Sequence, residues 1–98
     1  MILEVAVLDV IAGRTDDFQR AFSEAKSIMA AMPGFLSLEL QQCVERTNRY
    51  VLLVRWNTIE DHTEGFRKSR DYQRWKSLLH HFYDPFPSVE HYRLLDAA

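Results

Sequence analysis

The stretch ILEVAVLDVI, Ile2 to Ile11, decides how this chain folds. Its alternating positions form two sets of side chains, and both sets are mostly apolar. The two sets are Ile2, Glu4, Ala6, Leu8 and Val10, and Leu3, Val5, Val7, Asp9 and Ile11. A sheet face in water carries a polar residue at every second strand position, so this pattern predicts a strand that is covered on both faces.

A helix is expected after this strand, which ends at Gly13. Thr15 or Asp16 is predicted to cap the helix, because both side chains accept hydrogen bonds from free backbone N–H groups. The apolar stripe of the helix comprises Phe18, Phe22, Ala25, Ile28, Met29 and Met32. The stretch MPGF, Met32 to Phe35, ends the helix because Pro33 cannot continue it and the glycine after it supplies the turn.

Two strands are predicted next, from Phe35 to Glu45 and from Tyr50 to Trp56. The polar stretch ERTNR between them is typical of a hairpin connection. Thr58 is then predicted to cap a second helical segment, with Asp61 at the position that completes a capping box. This segment is expected to end near Arg67.

Ser69 is predicted to cap a fresh helix, and Ser88 to Leu95 forms the last predicted strand. The apolar stripe of this helix comprises Tyr72, Trp75, Leu79 and Phe82. The order β-α-β-β-α-β predicts a ferredoxin-like α+β fold, with a four-stranded antiparallel sheet and both helices on one face. A second copy is expected to cover the other face, which makes the protein a homodimer.

Length, charge and cysteine content restrict the class of protein. A chain of 98 residues suits one domain spanning 1–98, and a net charge of −2 without a basic face argues against nucleic acid. No run approaches the roughly 18 apolar residues of a membrane span. The apolar start carries acidic residues and lacks a basic n-region, so it is interpreted as a strand, not a signal peptide. Cys43 is the single cysteine, so no internal disulfide forms, and a cytoplasmic location is expected.

His62 is the first candidate for chemistry, because helical spacing places it on one stripe with Ile59 and Phe66. It is either a core histidine with a hydrogen-bond partner, or a general base or substrate-binding group facing a pocket. An ordinary pKa near about 6.5 makes histidine the usual proton acceptor at neutral pH.

Several aromatic side chains fit either a plain core or a cavity for a flat aromatic ligand. They are Trp56, Phe66, Tyr72, Trp75 and Phe82. His80, His81 and His91 lack the spacing of metal ligands, and no nucleotide-binding or nucleophile motif is present, so neither a metal nor a cofactor is predicted.

Four stretches resemble the antibiotic biosynthesis monooxygenase domain of the dimeric α+β barrel superfamily. They are MPGF, RYVLLVRWNTIEDH, GFRKSRDYQRW and VEHY, and the similarity covers nearly the whole chain. The resemblance implies a homodimer with one pocket per subunit, between helices and sheet. It also implies oxidation of phenolic or quinol-type aromatic molecules by dioxygen without metal or flavin.

Residue roles follow from this resemblance. His62 is the candidate catalytic base, and Arg67 would offset negative charge on the substrate. The candidate substrate-binding residues are Trp56, Phe66, Arg67, Tyr72 and Trp75.

Three other functions are compatible with the sequence. A dimeric module that binds or senses a small ligand without catalysis would also have such a pocket, and so would an isomerase on the same scaffold. The resemblance extends to a haem-degrading branch, which Trp56 fits. The first strand lacks that branch's asparagine, however, and Trp75 and Lys76 stand near the position of its haem-ligating histidine.

Overall fold

The computed structural model describes residues 1–98 and has the predicted element order. Its strands and helices are β1 (Ile2–Asp9), α1 (Thr15–Ala30), β2 (Phe35–Gln42), β3 (Arg49–Trp56), α2 (Arg70–Leu79) and β4 (Val89–Tyr92). A π-helical turn, Asp61–Phe66, precedes α2, and a 3-10 turn, His80–Phe82, follows it. The strands form one antiparallel sheet in the order β2-β3-β1-β4, which confirms the ferredoxin-like α+β fold.

One face of the sheet packs under both helices. In β1 the inward residues Ala6 and Leu8 are buried, as is Val10 just after the strand, and they join one cluster with buried residues of α1, α2 and β3. On the opposite face Val7 is 43% exposed, although the sequence predicts that this face is covered. A single subunit therefore covers only one of the two apolar faces.

The register of β1 with its neighbouring strands brings titratable side chains together. Glu4 lies opposite Val54 of β3 and opposite His91 of β4. Because paired residues in a sheet project from the same face, Glu4 and His91 both point toward the helices. Glu4 shares its face of β1 with the buried residues Ala6 and Leu8 and is itself buried.

The predicted cap of α1 is wrong. Arg14 occupies the N-cap position and no side chain there hydrogen-bonds the helix end, because Thr15 is already the first helical residue. Asp16 also lies within the first turn. Its negative charge interacts favourably with the helix dipole there, but its side chain makes no capping hydrogen bond.

Two predicted strands are too long. β2 ends at Gln42 because its partner β3 begins at Arg49, and the last pair of this ladder joins Gln42 to Tyr50. β4 comprises only Val89–Tyr92, and the last pair of its ladder with β1 joins Tyr92 to Leu3.

None of the helices combines the length and the apolar character that a bilayer-crossing segment needs.

Candidate active site

A pocket of about 350 Å³ lies between the sheet and α2. Ten of its fifteen lining residues are hydrophobic, as is usual for small-molecule sites. One carboxylate, one arginine and two histidines also line the pocket: Glu4, Arg67, His62 and His80. The pocket thus combines aromatic walls with a few polar groups at defined positions.

A capping box holds the turn that carries His62. The backbone N–H of Asp61 donates to the Thr58 hydroxyl at 3.2 Å, and the Asp61 carboxylate accepts from the Thr58 N–H at 3.1 Å, which confirms the predicted pair. Arg67 N–H donates to the His62 carbonyl at 3.0 Å, the i to i+5 bond of a π-helical turn. Within this turn both His62 and Phe66 are buried.

His62 is only 3% exposed and contacts polar groups through both ring nitrogens. Its Nδ1 lies 2.8 Å from Nε2 of His91, and its Nε2 lies 3.4 Å from Oε1 of Glu4. The ring also stacks on Trp56, with centroids 5.6 Å apart and an angle of 18° between the planes. His62 therefore combines both interpretations of the sequence, because it is buried with partners and it also lines the pocket.

The environment of His62 keeps its imidazole neutral. Burial, followed by the positive charge of Arg67 and the ring of His91, lowers the pKa of His62 from 6.5 to about 3. Burial and the same arginine also lower the pKa of His91. At neutral pH each ring therefore carries a single N–H and one free lone pair.

Glu4 is a buried carboxylate beside His62, and the sequence predictions missed its role. The indole N–H of Trp56 donates to Oε1 of Glu4 at 2.9 Å. Burial raises the pKa of Glu4, while the Trp56 hydrogen bond and the charge of Arg67 act in the opposite direction. Each of the two alternating sets of the first strand holds one acidic residue, Glu4 or Asp9, so the sequence did not indicate which of the two is buried.

A second polar region lies at the α2 end of the pocket. Nδ1 of His80 is shielded from solvent and has no hydrogen-bond partner, and burial lowers the pKa of this ring. The ring packs against Tyr72 and Tyr83, with centroid distances of 5.9 Å and 6.0 Å. Burial also raises the pKa of Tyr83. Apart from Tyr72, this group was not predicted, because its members belong to a turn and a loop without periodicity.

The structure brings most of the predicted site residues together. His62, Phe66, Arg67, Tyr72 and Trp75 all line the pocket. Trp56 is absent from the pocket wall and lies behind Glu4, fully buried. Phe82, weighed as a further wall, packs in the core against Phe18, with centroids 5.8 Å apart.

The polar side chains do not gather as metal ligands do. No three His, Cys, Asp or Glu side chains converge at a distance suited to one ion.

Comparison with known proteins identifies relatives of similar sequence and solved structures of the same fold. The chain is 50% identical to YczJ, an uncharacterised protein of Bacillus subtilis, over 95% of its own length and 98% of that protein. A Bordetella bronchiseptica protein named for the antibiotic biosynthesis monooxygenases shares 31% identity and superposes with a TM-score of 0.92, covering 96% of each chain. SnoaB of Streptomyces nogalater, a cofactor-independent oxygenase, has the same fold at 16% identity, with a TM-score of 0.85 over 98% of this chain and 94% of SnoaB. The family model for antibiotic biosynthesis monooxygenases matches residues 1–78, and the chain therefore belongs to that family.

Proposed function

We propose that this protein is a cofactor-independent monooxygenase that oxidises a phenolic or quinol-type aromatic molecule in the pocket under α2. The observation that supports this most is the neutral, buried His62 at the wall of an aromatic pocket, next to the buried carboxylate of Glu4. The description of SnoaB as a cofactor-independent oxygenase, on the same fold, supports the reaction class.

His62 acts as the base in this proposal. It accepts the proton of the substrate hydroxyl, and the resulting phenolate donates an electron to dioxygen. One oxygen atom then enters the substrate as a carbonyl at a ring C–H carbon, and the other leaves as water with the hydrogen of that carbon and the proton that the hydroxyl lost. Substrate and dioxygen therefore supply all the atoms and electrons of the reaction.

Arg67 offsets the negative charge that appears when the substrate loses its proton. Its guanidinium lines the pocket and has no ion-pair partner within the chain. Positive charge fixed near a developing oxyanion stabilises that oxyanion without reorganisation. The exposed position of Arg67 places this charge at the pocket mouth.

Three aromatic rings form the surface that holds the flat substrate. Tyr72 and Trp75 both meet Phe66 edge to face, with angles of 88° and 82° between the ring planes. This arrangement fixes the rings around Phe66 and leaves the adjoining pocket as an apolar slot. A planar ring bound there would place its hydroxyl toward Glu4 and His62.

Dioxygen consumption with a panel of hydroquinones and anthrones tests the proposal. We expect at least one compound to be oxidised, with one atom of ¹⁸O-labelled dioxygen recovered in the product. Compounds that change the tryptophan fluorescence of the protein on binding but consume no dioxygen would instead identify a ligand-binding module. Isomerisation of a compound without dioxygen uptake would likewise overturn the proposed reaction.

We also propose that two copies of the chain pack sheet against sheet. The supporting observation is the open face of the sheet, where Val5 of β1 pairs with Leu53 of β3 and Val7 pairs with Val51. A specific interface typically buries about 800 Å² per partner. The cytoplasmic location expected from the single thiol stays a prediction.

Leu53→Asp should convert the dimer into a monomer, because it places a second carboxylate directly opposite Glu39 of β2 on the face that the partner would cover. Sedimentation equilibrium at micromolar concentration measures the change. Ser23→Asp, on the exposed side of α1, is the matched control and should leave the dimer intact. A wild-type protein that sediments as a monomer would contradict the dimer.

A further inference from the structure

The contact between His62 and His91 joins the pocket to the surface. Nδ1 of His62 and Nε2 of His91 lie 2.8 Å apart, a normal hydrogen-bond distance. The other nitrogen of His91 makes no hydrogen bond, and the only solvent-shielded side-chain nitrogen or oxygen without a partner is Nδ1 of His80. His91 is half-buried on the short edge strand β4, so water reaches its free nitrogen.

The hydrogen between the two rings can take two positions. Either His62 donates from Nδ1, which leaves a lone pair on its Nε2, or His91 donates from Nε2, and the proton of His62 is then on Nε2. The second arrangement places the Nε2–H of His62 near Oε1 of Glu4, which lies 3.4 Å from this nitrogen in an electrostatic contact without hydrogen-bond geometry. Glu4 thus stabilises the form of His62 that has taken up a proton from the pocket.

We propose that His62 and His91 form a two-histidine relay that carries the substrate proton from the pocket to solvent. The relay rests on the proposed role of His62 as base. The substrate O–H bond breaks and its proton bonds to Nε2 of His62. The Nδ1–H of His62 passes to Nε2 of His91, and the Nδ1–H of His91 passes to water.

The relay is balanced over one reaction cycle. Each ring has one N–H before and after the transfer, so neither histidine needs to become a stable cation. The proton is used when water forms from the second oxygen atom of dioxygen, and the same transfers in reverse then restore the starting tautomers. His91 does not touch the substrate, and it is therefore a positioning residue for His62.

The charges around the pair favour this neutral exchange. Glu4 of β1 faces His62. The positive charge of Arg67, which follows the π-helical turn, lowers the pKa of both His62 and His91. Arg67 disfavours an imidazolium in either position, and burial acts in the same direction. Passing the proton onward avoids the charged intermediate that a lone His62 would have to hold.

Nitrogen-15 NMR of the histidine rings tests the geometry without any substrate. We expect a scalar coupling through the hydrogen bond between Nδ1 of His62 and Nε2 of His91. His91→Gln should remove the coupling and change the tautomer ratio of His62, while the exposed His81→Gln should leave both unchanged. Absence of the coupling in the folded wild-type protein would overturn the relay.

Kinetics with an accepted substrate test the transfer itself. We expect His91→Gln to lower the rate about 100-fold, the low end of what positioned proton transfer contributes. The remaining rate should rise with buffer concentration, and added imidazole should rescue His91→Ala, responses that a merely structural role would not produce. Unfolding midpoints near wild type verify that both variants are folded.

The outcomes separate the relay from the proposed function. If His62→Ala lowers the rate but His91→Gln keeps the wild-type rate without buffer dependence, the relay is wrong and the base stands. If His62→Ala keeps the wild-type rate, the proposed function of His62 fails, and the relay fails with it.

Discussion

His62→Ala should lower the rate of dioxygen consumption with an accepted substrate by about 10²- to 10⁴-fold, the range typical for loss of a positioned general base. The expectation rests on the position of His62, buried at the pocket wall and held by a capped turn. Its imidazole is neutral at pH 7, because burial and the charge of Arg67 lower its pKa to about 3. The variant therefore removes a proton acceptor without removing a charge.

Controls must separate this chemical effect from loss of packing. His62→Ala also deletes the ring that stacks on Trp56, so His62→Gln provides a second variant that keeps a polar group at the position. Both should be slow if the imidazole is the base. His81→Ala removes an exposed imidazole from the 3-10 turn and should keep the wild-type rate. Folded His62 variants with wild-type rates would remove the base from the mechanism.

The order of the elements was enough to predict the sheet, but the pairs across the sheet were not predicted. Glu4 was visible as one of two acidic residues in an apolar strand, whereas its contact with His91 depends on the register between β1 and β4. Register is set by long-range pairing, and a short edge strand has little local pattern to reveal it. His91 was therefore considered only as a metal ligand, and its contact with His62 was not foreseen.

Helical spacing predicted which side of its own helical segment carries His62 and which carries Tyr72, and both residues line the pocket. Trp56 shows the limit of such reasoning. The end of β3 directs its indole inward, but its N–H is used by Glu4, which stands between the indole and the pocket. Whether an inward aromatic reaches a cavity depends on what packs in front of it, and periodicity does not contain that information.

Gly34→Ala should reduce the free energy of unfolding by about 2–4 kcal/mol, combining a strained backbone with a lost helix cap. Gly34 has φ +83°, a conformation that costs an alanine about 1–2 kcal/mol. A β-carbon added there would also overlap the carboxylate of Asp61. That carboxylate caps Thr58, so moving it releases the capping box in front of the turn that carries His62.

Gly13→Ala is a matched control, because Gly13 has φ +85° but a β-carbon added there would meet nothing within 4 Å. Urea unfolding of both variants should show a smaller loss for Gly13→Ala, about 1–2 kcal/mol. In an Asp61→Ala background the overlap is gone, and Gly34→Ala should then cost no more than Gly13→Ala. Equal losses for the two glycine variants in the wild-type background would contradict the clash with Asp61. The difference between them therefore measures how strongly the capped turn depends on the glycine that lies beneath it.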